Sequence, residues 1–110
     1  MARNMGGFDM NRIMKQAQDL QKNVAKVQEE LKERVVEADS GAGMVKVQVN
    51  GHQEVVSIRI SPDVVSKDDI AMLEDLVLVA VQQGMKKAKE LADSEIQKVT
   101  GGMSLPGFGM

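Results

Sequence analysis

Four cations near the start of the chain, Arg12, Lys15, Lys22 and Lys26, are spaced so that a helix would put them toward solvent. Two readings fit them. They form a solvated face, or they form a row of contacts to phosphates, each contact releasing a condensed counterion. Lys86, Lys87 and Lys89 repeat the arrangement later in the chain, diluted by Glu90 and Asp93, with Lys98 beyond. A net charge of −2 by itself argues against a nucleic-acid binder. The distribution is more informative. Residues 1–27 hold five basic and two acidic side chains, and residues 82–110 hold four and three. Residues 28–45 hold two basic and five acidic, and residues 46–81 three and six. Positive charge is thus shifted to the ends of the chain and negative charge to its middle.

Covalent and metal chemistry have little to start from. There is no cysteine, which removes disulfides, thiol nucleophiles and Cys-based zinc sites. The single histidine, His52, reads as an ordinary exposed residue beside a turn. Glu74 and Asp75 are adjacent, and adjacent helical side chains diverge by about 100°, so they cannot converge on one substrate atom. They read as a capping or salt-bridging pair, and Glu29, Glu30 and Glu33 as a solvated face. Methionines such as Met10, Met14, Met44, Met72 and Met85 read as gap-filling core. The segment GAGMVK lacks the Gly-Lys-Ser/Thr end of a phosphate-binding loop. No enzyme, metal, cofactor or small-molecule substrate is expected. Trp and Tyr are absent, and Phe8 and Phe108 lie near the ends, so stacking on unpaired bases has almost no platform. The opening MARNMGGFDMNR has no apolar signal region. The longest apolar run, LVLVAV at 76–81, falls far short of the roughly 18 residues of a membrane span. A cytoplasmic protein with no membrane partner is expected.

The elements that must position these cations follow from periodicity. Residues 1–8 are expected to fray, and Asp9 to cap a helix. Met10, Ile13, Ala17, Leu20, Val24, Val27 and Leu31 then recur at alternating steps of three and four, a heptad seam without a break. The spacing predicts a helix over 9–34. A strand is expected at 35–40 with Val36 and Ala38 on one face, then a turn at Gly41-Ala42-Gly43. Val45, Val47 and Val49 alternate with Lys46 and Gln48, and Val56, Ile58 and Ile60 with Ser57 and Arg59. Asn50-Gly51 between them suits a two-residue type I′ turn, which would pair Val45 with Val56. Pro62 ends the sheet. Ser66 is expected to cap a second helix over 67–99.

That second helix carries one stripe of Ile70, Leu73, Val77, Val81, Gly84, Ala88, Ala92 and Val99. Met72, Leu76, Leu78 and Val79 add a second apolar set. A helix so widely apolar must be covered on more than one side, and a second subunit is the simplest cover. Both helices outrun a seven-residue strand, so their free parts must pair with each other or with a partner chain. One domain over 1–100 is expected, with a flexible tail at 101–110. The fold class is α+β.

The segments Met14–Gln18, Gly43–Gly51, Ser61-Pro62-Asp63, Leu73-Glu74-Asp75-Leu76 and Lys87-Ala88, with Gly101-Gly102 and Leu105-Pro106-Gly107 in the tail, resemble the YbaB/EbfC family of bacterial nucleoid-associated proteins. The likeness covers essentially the whole chain. It implies an α-β-β-β-α subunit, a three-stranded antiparallel sheet flanked by two long helices, in a tweezer-like homodimer. It also implies binding of double-stranded DNA, nucleoid organisation and gene regulation. For Arg12, Lys15, Lys22, Lys26, Lys86, Lys87 and Lys89 it favours phosphate contact over the solvated face. The other reading of the heptad seam is a protein-interaction adaptor that binds a partner helix without DNA.

Overall fold

The computed structural model of the chain describes residues 9–101. The expected frayed start at 1–8 and the tail from 102 onward lie outside the described residues. The element order is helix α1 (Met10–Leu31), strands β1 (Val35–Ser40), β2 (Val45–Asn50) and β3 (Val55–Ile60), a 3-10 turn at Pro62–Val64, and helix α2 (Ile70–Thr100). The sheet is an antiparallel meander in the order β1-β2-β3. The α-β-β-β-α architecture is therefore as expected.

Asp9 caps α1, its carboxylate accepting from the backbone N–H of Asn11 at 3.0 Å and of Arg12 at 3.3 Å. α1 stops at Leu31, three residues short of the expected end. The Leu31 carbonyl accepts from Gly51 N–H at 2.9 Å, and β1 must begin at Val35 to pair with Asn50. α2 starts three residues later than expected. Ser66 closes only a turn, its hydroxyl accepting from Asp68 N–H at 3.2 Å, and Asp69 is the cap, accepting from Met72 N–H at 3.2 Å.

The β2–β3 connection departs from a two-residue type I′ turn. Asn50 N–H donates to the Glu54 carbonyl and Gln53 N–H to the Asn50 carbonyl, both at 2.9 Å. The left-handed residue is Gln53, at φ 61°. The longer loop moves the register, so Val45 pairs with Ile60 and Val47 with Ile58. Val49 pairs with Val55, and Val56 is the extra residue of a bulge. The shift from Val56 to Ile60 is an even number of residues, which preserves faces. Ile58 and Ile60 thus share a face with the valines, as expected, while Val56 falls out of the pairing.

Val45, Val47 and Val49 are fully buried beneath α2, with Ala38, Ala80 and Ala88 around them. Gly84 faces them directly. A Cβ there would stand 2.7 Å from Val49 Cγ2 and 2.9 Å from Val47 Cγ2. Close approach of helix to sheet explains this mid-helix glycine. Gly84→Val is expected to destabilise the fold by about 2 kcal/mol or more, because overpacking costs about 1–3 kcal/mol and valine regains little of glycine's helix penalty. Gly84→Ala brings the same Cβ against Val49 and Val47 but no γ-methyls and recovers about 1 kcal/mol of helix propensity, so it should cost less than valine. Urea melts of both variants check this.

α2 lies over β1 and β2 and leaves β3 largely uncovered. Ile58 and Ile60 remain 46% and 41% exposed. Beside them Ile60, Leu73, Glu74, Val77, Leu78 and Val81 line an open apolar groove of about 470 Å³.

Candidate nucleic-acid interface

Beyond the sheet, α1 and the last turns of α2 run against each other as an arm. Val24 and Leu31 of α1 and Thr100 of α2 are buried there. Glu95 of α2 meets Arg34, in the link between α1 and β1, at 3.8 Å, and Lys98 of its own helix at 3.0 Å. The Lys98 hydrogen bond, aided by the charges of Lys98 and Arg34, holds the Glu95 carboxyl below its ordinary value, with desolvation opposing it. A lowered folded-state value means that this contribution to stability is present above the unfolded value and fades as pH falls through the folded one.

The basic residues of α1 form one face. At 100° per residue, Arg12, Lys15, Lys22 and Lys26 fall within a sector of about 80°, roughly opposite the stripe from Met10 to Leu31. All four are exposed. None has an ion-pair partner among the described residues. Asp19 falls in the same sector within the row, and Glu30 lies at its edge, four residues past Lys26. Between Met10 and Asn23 no α1 residue is buried and Leu20 alone is half-buried, so most of this part of the arm is open to solvent.

The α2 lysines are placed differently. Ala88 belongs to the sheet-facing core, so Lys86, Lys87 and Lys89 lie level with the sheet and not on the outer arm. They spread over about 160° of the helix circumference. Lys87 donates to the Glu37 carbonyl at 2.8 Å, and Lys89 pairs with Asp93 at 2.9 Å. Lys86 is exposed and has no such partner among the described residues. The structure therefore gathers the α1 cations and does not gather the α2 ones.

The loop after β2 holds the base of α1, which the sequence did not suggest. Gly51 N–H donates to the carbonyls of Leu31 and Arg34, each at 2.9 Å. His52 Nε2 lies 2.5 Å from the Gln28 carbonyl. His52 is exposed, as expected, but it is engaged. Glu74 lines the apolar groove, and neither it nor Asp75 forms an ion pair among the described residues.

Among the described residues no cluster of His, Asp or Glu is placed to hold a metal ion, and no helix is long and apolar enough to cross a membrane.

Comparison with known proteins gives a consistent picture. A family model described as the YbaB/EbfC DNA-binding family matches residues 5–103. A nucleoid-associated protein of Thermoanaerobacter pseudethanolicus is 54% identical over 103 residues, covering 94% of this chain and 93% of that one. One from Moorella thermoacetica is 49% identical over 104 residues, covering 94% of this chain and all of its own length. The crystal structure of an uncharacterized Helicobacter pylori protein has the same fold, with a TM-score of 0.74 at 22% identity over 86% of this chain and 99% of that one.

Proposed function

The chain belongs to the YbaB/EbfC DNA-binding family, and from that premise we propose that it binds double-stranded DNA as a homodimer, mainly through backbone phosphates. The observation that carries this reading is the α1 face, where four exposed cations without ion-pair partners share one side of a projecting helix. Such a row tracks a phosphate backbone without needing base edges. No helix-turn-helix is present among the described elements, so sequence preference is weak. Lys86 adds a further contact near the sheet. Lys87 and Lys89 add theirs by exchanging an internal partner for phosphate. The protein then acts in the cytoplasm on the nucleoid, organising it and modulating gene expression.

The homodimer is supported by the groove between α2 and β3. Ile60 and Leu78, which line it, and Ile58 of the same strand β3 are each more than 40% exposed, in a patch of the kind that marks an interaction site. A two-fold copy covering this patch would point two arms from one body, the tweezer arrangement.

Fluorescence anisotropy of a mixed-sequence duplex, titrated across salt concentrations, tests the mechanism. The logarithm of affinity is expected to fall steeply with that of salt, by about 0.9 per phosphate neutralised. A flat dependence would remove the electrostatic mechanism.

One observation favours the adaptor reading. Met10 and Ile13 are 61% and 38% exposed on the stripe of α1 beyond its packing with α2. A partner helix would cover them. Absorbance at 260 and 280 nm before and after a high-salt wash separates the two, and a chain without Trp or Tyr makes that ratio sensitive to bound nucleic acid.

A further inference from the structure

We infer that the loop between β2 and β3 is a positioning device for the α1 arm, with His52 as its latch. The inference rests on the proposal that the α1 face meets DNA. The last four carbonyls of a helix lack intrahelical partners unless something else supplies them. Here Lys32 N–H turns to the Glu29 carbonyl at 3.3 Å, which leaves the Gln28 carbonyl to His52 Nε2. Gly51 N–H takes the Leu31 and Arg34 carbonyls. Three carbonyls at the root of the arm, spread over about two turns of chain, are thus held from one loop.

The loop is stiff enough for that role. Asn50, 4% exposed, accepts at Oδ1 from His52 N–H at 2.9 Å and Glu54 N–H at 3.0 Å. Its Nδ2 donates to Glu54 Oε1 at 2.7 Å. Gly51 has no room for a side chain, since a Cβ would stand 2.6 Å from the Leu31 carbonyl oxygen. His52 is the member of the set that can be altered without disturbing the turn, because its ring is exposed and its backbone makes the bond to Asn50.

The apolar contact of α1 with α2 resists separation but fixes direction poorly, because apolar attraction is non-directional. Hydrogen bonds to carbonyls at the root are directional. Lys15 lies about 20 Å along the helix from Gln28, so a tilt of about 10° at the root moves it about 3 Å. That is enough to make or lose a phosphate contact.

The test compares the full chain with His52→Ala and His52→Gln, the second of which keeps an N–H donor of similar reach. Since the chain lacks cysteine, spin labels at Gln16→Cys and Gln83→Cys, both exposed sites, report the arm's position. Labelled protein is diluted with unlabelled protein so that the measured pair lies within one chain. His52→Ala is expected to broaden the label-to-label distance distribution and weaken duplex binding about three- to tenfold, as loss of one directional hydrogen bond would. The salt slope should stay unchanged, and His52→Gln should restore both readouts. A histidine that touched phosphate itself would instead reduce the slope by about one. An unchanged distance distribution, an unchanged affinity or a reduced slope in the folded His52→Ala protein overturns the inference. Failure of the unmutated chain to bind duplex overturns the DNA reading, and the spin-label distances then decide the latch alone.

Discussion

Charge reversal at Lys15 and Lys22 together is expected to weaken duplex binding by at least about tenfold at physiological salt, and to flatten its salt dependence. Both side chains stand in the open on the basic sector of α1 without ion-pair partners among the described residues, so neither substitution breaks an internal contact. Each removes one phosphate contact, worth about one unit of salt slope, and adds a repulsion. In a homodimer both losses count twice. Lys89→Glu is the natural control. Lys89 is already paired with Asp93 on α2, so its reversal should cost less affinity than either α1 substitution. Anisotropy titrations between low and moderate salt measure slope and affinity together. An unaffected Lys15→Glu/Lys22→Glu variant would move the DNA contact off α1.

Leu78→Glu is expected to dissociate the proposed homodimer. The residue is 54% exposed in the single chain, so glutamate there disturbs the subunit fold little. Covered by a second copy, the same carboxylate would be buried without a partner, at a cost of several kcal/mol, or more than a hundredfold in dimer affinity. Light scattering should give the mass of one 12.0 kDa chain where the unaltered protein gives twice that. Duplex affinity should fall in step, because two linked arms bind with an effective concentration that separate arms lack. A Leu78→Glu protein that keeps the doubled mass would place the subunit contact elsewhere.

The large elements were legible because each has a local cause. The unbroken heptad from Met10 to Leu31 specifies α1, and alternation specifies β1 and both arms of the hairpin. The over-apolar run from Ile70 to Val81 anticipated that α2 could not be covered by its own sheet. What escaped was set by distant partners. Asn50-Gly51 looks like a tight turn, but Gly51 N–H is claimed by carbonyls at Leu31 and Arg34, some twenty residues earlier, and the turn opens to reach them. The same contact stops α1 early. For the candidate site, the α1 cations could be read as one face from spacing alone. The engagement of Lys87 could not, since its acceptor, the Glu37 carbonyl, lies fifty residues away on another element. Nor could His52 be told from an idle surface residue until the end of α1 was in place.

The uneven burial of α1 makes one helix span much of the molecule's range of opening free energies. Its last turns, around Val24 and Leu31, are packed and bonded to the loop, and their amides should exchange with solvent slowly. Its first turns bury nothing, and a helical segment of that length is marginal in water. Amides from Ile13 to Ala17 should therefore exchange far faster than those of Val45, Val47 and Val49, through fraying that leaves the sheet intact. The same opening would offer trypsin its earliest cuts among the described residues, after Arg12 and Lys15. A ligand that neutralises this basic face should slow both processes, so protection at the arm's tip can report occupancy without any label.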